Sequence, residues 1–146
     1  MIVPDVNLLL YAYRRELPDH EAARQWWTGL LNGDEEVGIP WSVVVSFLRL
    51  MTNRRVMAPP TALSDVIDSV QSWFEHSHVV ILAPRPDHLG YLVDLLQAVQ
   101  RGGNTVPDAH IAAIALENDA EVHTNDFGFR RFPGLRWHNP LQTAAT

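Results

Sequence analysis

Three aspartates carry the chemistry this sequence offers. Asp5 ends a very short apolar run, Met1-Ile-Val-Pro-Asp5, and helical apolar spacing begins at once behind it. Asp126 follows the strand-like stretch Ala120-Glu-Val-His-Thr124, and Asp108 opens the alanine-rich helix just before that stretch. In an open α/β sheet, the carboxyl ends of the strands face the crevice where ligands collect. Carboxylates gathered there without His or Cys select hard cations, so Mg²⁺ is the expected metal, with Mn²⁺ as a substitute. Such an ion polarises a phosphoryl oxygen, lowers the pKa of a bound water and steadies a leaving oxygen. That is the equipment of a phosphodiesterase.

Each acid also has a plainer reading. Asp5 or Asn7 would serve as a helix N-cap. Thr105-x-x-Asp108 matches a capping-box variant, with the acid near the helix dipole. Asn125-Asp126 is what an Asx turn looks like. Capping and ligation coexist, so these readings do not exclude a site. Arginines form a second candidate set. Arg14 and Arg15 follow the first helix, Arg49, Arg54 and Arg55 close a later one, and Arg130, Arg131 and Arg136 follow Asp126. On the rim of the crevice they would hold phosphates by bidentate contacts; elsewhere they are solvated surface charge. His110 is read as a helix-surface or supporting group. His76-x-His78 and His88 lack a zinc spacing and are read as structural. The five tryptophans are expected mostly in the core, with some lining a partner groove.

The elements that must position these side chains alternate. Short strands are expected at the amino terminus, at Val37-Gly-Ile39 before Pro40, at Val79–Leu82, at 120–124 and, weakly, at Leu135-Arg-Trp137. Helices are expected over 8–13, from an N-cap at Asp19 to Leu31, over 41–51 and 62–74, along a stripe of Leu89, Leu92, Val93 and Leu96, and from Pro107 to about Asn118. This alternation predicts an α/β protein with a parallel sheet covered on both faces. Pro4 is tolerable in a central strand only as its last residue. The 146 residues suit one domain, taken as 1–141 with a tail over 142–146.

Composition removes several classes. With no cysteine, disulfides and thiolate metal sites are excluded. All eleven basic residues are arginine, so a P-loop, a Schiff-base enzyme and a receiver domain, each needing a lysine, drop out. A net charge of −6 argues against general backbone binding to nucleic acid, though not against a metal-dependent nuclease. No signal-peptide pattern or apolar run of about 18 residues stands out, so a cytoplasmic protein without membrane attachment is expected.

Five stretches in order then narrow the class. They are Asp5-Val-Asn7-Leu-Leu-Leu-Tyr-Ala12; Pro40-Trp41 with Phe47-Leu-Arg49 and Thr52-Asn53-x-Arg55; Gly103-Asn-Thr-Val-Pro-Asp108-Ala-His110; Thr124-Asn-Asp126; and Arg131-Phe-Pro-Gly-Leu-Arg-Trp137 with Asn139-Pro-Leu141. Together they resemble the PIN-domain family, and within it the VapC-type toxins of VapBC toxin–antitoxin systems, over nearly the whole chain. The resemblance implies a PIN-like parallel sheet and a Mg²⁺-dependent endoribonuclease cutting cellular RNA by metal-activated water. It matches the family's acids to Asp5, Asp108 and Asp126. It also implies a homodimer and a cognate VapB-like antitoxin that masks the site.

One departure stands out. The family's usual glutamate falls at Ser46, which supplies no charge. Asn7, Asn125 or a water on Ser46 are the candidate replacements, and three acids with one tightly held ion is the simplest arrangement. The same gap keeps open an alternative, a catalytically weak PIN-like module that binds RNA or protein. A haloacid-dehalogenase-type phosphatase fits poorly, because Asn7 replaces its second acid and lysine is absent.

Overall fold

Parallel strands cannot be joined by tight hairpins, so each passes through at least a helix before the next. The computed structural model, which describes residues 1–142, follows that rule. Its order is β1 (Ile2–Pro4), α1 (Val6–Tyr13), α2 (His20–Leu31), β2 (Val37–Pro40), α3 (Trp41–Met51), α4 (Leu63–Trp73), β3 (Val79–Leu82), α5 (His88–Val99), α6 (Thr105–Glu117) and β4 (Glu121–His123). A 3₁₀ turn over Phe127–Arg131 then leads to β5 (Arg136–His138). All neighbouring strands are parallel, in the order β3-β2-β1-β4-β5.

The chain first steps outward from β1 to β3, then jumps back across β1 to β4. Right-handed crossovers in opposite directions put their helices on opposite faces. Helix α1 accordingly packs on α2 and α3, α3 packs on α4, and α5 packs on α6. The reversal falls between β1 and β4, where an open α/β sheet leaves a crevice. Pro4 is the last residue of β1, the one place where its missing N–H is tolerable.

The core is built from both covers. Trp73 and Phe47 are fully buried, with ring centroids 4.9 Å apart, and Trp27 meets Trp73 edge-on at 5.5 Å. On α6, Ala109, Ala112, Ala113 and Ala115 are wholly buried, so small side chains let this helix lie close. Gly38 lets side chains close over β2, since a Cβ there would stand 2.6 Å from Leu82 Cδ1 and 2.7 Å from Met1 Sδ.

Several expectations change. Helix α6 begins at Thr105, two residues early, with Pro107 in its first turn where an amide would be unpaired anyway. No capping box forms: Asn104 precedes the helix without a side-chain cap bond, and Thr105 is buried. Asp19 precedes α2 in a left-handed conformation and caps nothing with its side chain. The α5 stripe is not all core, since Leu89 and Val93 are exposed and Leu95 is the buried residue. Of the tryptophans, Trp27 and Trp73 are buried, whereas Trp41 is 54% exposed. The tail beyond Gln142 lies outside the described residues.

Candidate active site

Asp5 sits at the carboxyl end of β1, its amide donating to His123 O of β4 at 2.9 Å. It occupies the N-cap position of α1 yet makes no side-chain cap bond. Its carboxylate instead accepts the Thr124 hydroxyl at 2.7 Å, across the β1–β4 boundary. The Thr124 side chain is completely buried, and its oxygen also accepts the Asp126 amide at 3.0 Å. Asp126 Oδ1 in turn accepts Gly128 N at 2.7 Å, so the Asx turn forms and fixes that carboxylate as well. Two acids are therefore tied to one threonine.

Asp108 joins them from the first turn of α6. Asp5 and Asp108 line one cavity of about 340 Å³, with Ser42 and Ser46 of α3 and His110 of α6. Asp126 is not among its lining residues but lies close enough for its charge to act on both. Burial, then the charges of Asp5 and Asp126, push the Asp108 carboxyl up to about 6, with Arg131 opposing. Asp5 is raised too, mainly by burial and slightly by Asp126, against the hydrogen bond from Thr124. Repulsion of this kind is what a cation relieves.

Does the donor set fit a divalent ion? Its chemistry does: carboxylate and hydroxyl oxygens suit Mg²⁺ or Mn²⁺. The Ser42 hydroxyl is buried in this cavity with no protein partner, an orphan that a hydrated ion or substrate would satisfy. Among the described residues, however, no three His, Asp or Glu side chains close on a common point as a complete cage would. Magnesium suits such an open arrangement, because it keeps several waters and takes one or two carboxylates with substrate phosphate.

The other sequence candidates divide. Ser46 lines the cavity. Asn125 is turned to Tyr11, donating to its hydroxyl at 3.2 Å. Asn7 is half-buried and does not line the cavity. Arg14 is not on the rim: it is buried, pairs with Glu16, and donates to Thr61 Oγ1 at 3.0 Å and Pro59 O at 2.7 Å. Its guanidinium is consumed in holding the loop before α4. Arg49 and Arg55 are exposed but do not line the acid cavity. Arg130 and Arg131 line a second cavity beside Asp126.

Sequence reasoning missed two things. Ser42 carried no motif of its own; its place one turn before Ser46 was the available signal. The second is a polar chain running inward. Glu117, whose side chain is wholly buried, pairs with His88 Nδ1, and His88 Nε2 bonds His110 Nδ1 at 2.9 Å. His88 is thus no isolated structural histidine, and His110 is braced from the core. Burial, then the neighbouring His88, lower the pKa of His110.

A parallel sheet in the order 3-2-1-4-5 with acids after β1 and β4 and on the intervening helix defines a class. The chain belongs to the PIN-domain family, whose sequence profile matches residues 2–135, and to its VapC branch. It is 37% identical to Ribonuclease VapC33 of Mycobacterium tuberculosis over 142 residues, covering 97% of this chain and 99% of that one. Ribonuclease VapC43 of the same organism is 40% identical over 141 residues, covering 97% and 96%. The fold is similar to VapBC2 from Rickettsia felis, solved bound to a DNA fragment from its promoter (TM-score 0.70, 17% identity, 95% and 98% covered).

Proposed function

We propose that this protein is the toxin of a VapBC-type pair, an endoribonuclease that needs a divalent cation and cuts cellular RNA. The observation that carries the reading is that Asp5 and Asp108 line one cavity at the sheet's switch point, with Asp126 close enough for its charge to reach both. The ribonuclease names of its VapC relatives support the choice of RNA as substrate.

Asp5 and Asp108 would hold the ion, with Asp126 supplying charge beside it. When bound, Mg²⁺ supplies Lewis-acid polarisation of a phosphoryl oxygen and acidifies a bound water. The chain's own contribution is positioning. Thr124 orients Asp5 and Asp126 together, Ser42 offers a hydroxyl toward substrate or water, and α6 delivers Asp108 on a rigid first turn. With Ser46 in place of a glutamate, the site has less charge than four acids would give, which favours a single tightly held ion. Arg130 and Arg131 are the arginines best placed for RNA phosphates, with Arg49 and Arg55 further out.

A VapB-like antitoxin would cover the site. An exposed apolar groove of about 720 Å³, lined by Trp41, Val44, Val70, Phe74 and Ile81, suits a partner's apolar helix or a second copy in a homodimer. We read residues 1–141 as one catalytic domain working in the cytoplasm; among the described residues no helix is long and apolar enough to cross a membrane. The test is RNA cleavage by purified protein with Mg²⁺, with EDTA, and by Asp5→Asn and Asp108→Asn. Cleavage that persists in EDTA, or in either variant, overturns the assignment.

A further inference from the structure

The second cavity, about 530 Å³, lies between the end of α5 and the 3₁₀ turn after Asp126. That volume is within the ~300–1,000 Å³ of small-ligand pockets. Its walls are Val99, Arg101, Phe127, Gly128, Arg130 and Arg131. Three of these six are arginines in a chain that is acidic overall, so positive charge is gathered at one place. Arg131 is already fixed: Nε donates to Gly128 O at 2.7 Å and Nη1 to Thr105 Oγ1 at 3.3 Å. Gly128 is needed for this, because a Cβ there would collide with the Arg131 guanidinium and stand 2.9 Å from Asp126 Oδ1. Arg101 and Arg130 have no hydrogen-bond or ion-pair partner among the described residues. Phe127 is 49% exposed, with one side braced edge-on by Trp137 at 5.8 Å and 85°. An aromatic held open beside free guanidiniums is how proteins grip unpaired nucleotides.

We propose that this cavity is a nucleotide subsite, in which Phe127 stacks on a base of single-stranded RNA while Arg101 and Arg130 hold its phosphate. The inference rests on the ribonuclease reading and extends it to a residue pair, Arg101 and Phe127, that the acid site does not contain. Arg131 links the two, touching the cavity and acting electrostatically on Asp108. The subsite therefore adjoins the acid site. RNA is favoured over an acidic protein segment because the cavity shares Gly128 and Arg131 with the Asp126 turn.

The test is binding of a labelled single-stranded RNA oligonucleotide and its abasic counterpart, in EDTA so that no cleavage occurs. Phe127→Ala should weaken binding of base-bearing RNA by about tenfold and leave abasic RNA unchanged, and Phe127→Trp should restore it. Arg101→Ala should weaken both and reduce the salt slope by about one. Arg101→Ala should leave the thermal melt unaltered, since that side chain is exposed, and Phe127→Ala should lower it only slightly, through the lost edge contact with Trp137. Equal binding by wild type and Phe127→Ala, or equal losses on the two RNAs, overturns the subsite and leaves the cavity to another ligand, such as an acidic protein segment. Cleavage with Mg²⁺ is read separately. Base-dependent binding without any cleavage overturns the nuclease reading alone, and cleavage with Phe127-independent binding overturns the subsite alone.

Discussion

Thr124 and Asp5 lie 119 residues apart in sequence and 2.7 Å apart in the fold, joined hydroxyl to carboxylate. Because the same oxygen accepts the Asp126 amide, one side chain sets the spacing of two acids. Thr124→Val removes the hydroxyl while keeping the shape. It should cost about 1–2 kcal/mol by urea denaturation, since a buried carboxylate and an amide lose their partner. RNA cleavage should fall by more than that stability loss explains, and Thr124→Ser should recover most of it. Cleavage unchanged in Thr124→Val would show that Asp5 needs no such support.

Acidity gives a second prediction. Asp108 is pushed up to about 6 from an ordinary 3.8, so the folded protein holds that proton more tightly than the unfolded chain. The resulting stabilisation is full below about pH 3.8 and is lost as pH rises through about 6. In EDTA, lowering the pH from about 7.5 to 5.5 should add on the order of 1 kcal/mol from this group, after allowance for solvent screening. Cation binding needs the anion, so Mg²⁺ affinity should drop over the same interval. Thermal melts of wild type and Asp108→Asn, with and without Mg²⁺, separate the two effects. Identical pH slopes in both proteins would refute the assignment to Asp108.

Ser46 lines the acid cavity without charge. Ser46→Glu should tighten Mg²⁺ binding by about tenfold in calorimetry, an effect of roughly 1.4 kcal/mol. It should also lower stability in EDTA, because a fourth carboxylate joins three that already repel. A variant that binds Mg²⁺ no better would place position 46 outside the ion's reach.

How much of this was legible beforehand follows the range of the interactions. Helix α3 is read correctly from Trp41 to Met51, because its apolar spacing and its flanking Pro40 and Thr52-Asn53 are local. Asp5 and Asp126 are legible as strand-end residues and Asp108 as a residue at a helix start, since such ends are local too. Arg14 was not: its burial depends on Thr61 and Pro59, more than 40 residues away. The Thr105-x-x-Asp108 pattern promised a cap, but tertiary packing took Thr105 into the interior and gave its hydroxyl to Arg131. In the Glu117–His88–His110 chain, His110 and Glu117 stand two turns apart on one face of α6, but His88 comes from α5, and the pairing of those helices is tertiary.

Arg14 yields a direct check of that correction. Arg14→Ala should destabilise the fold by about 1–3 kcal/mol, because buried acceptors lose a charged donor. RNA affinity should stay within about twofold of wild type, where a phosphate contact would cost more. A large loss of affinity without loss of stability would return Arg14 to the binding surface.

Glu117 provides the last prediction. Glu117→Ala leaves His88 Nδ1 without its partner and should cost about 1–3 kcal/mol by denaturation, as expected for a buried polar group that loses a hydrogen bond. Replacing both as Glu117→Leu with His88→Leu should recover much of that loss. A single variant as stable as wild type would mean that the pair is solvated in the native protein.

One feature of the sheet bears on control. Strands β1 and β2 pair only at Ile2 and Val37, and both end in proline, which has no amide hydrogen to offer. Nothing in the backbone draws the two strand ends together at the mouth of the acid cavity. The acid cavity beside those strand ends is part of the folded chain itself. A partner that masks the site, as proposed above, would therefore meet a cavity already formed, and the order in which the two chains are made would matter more than a change of shape.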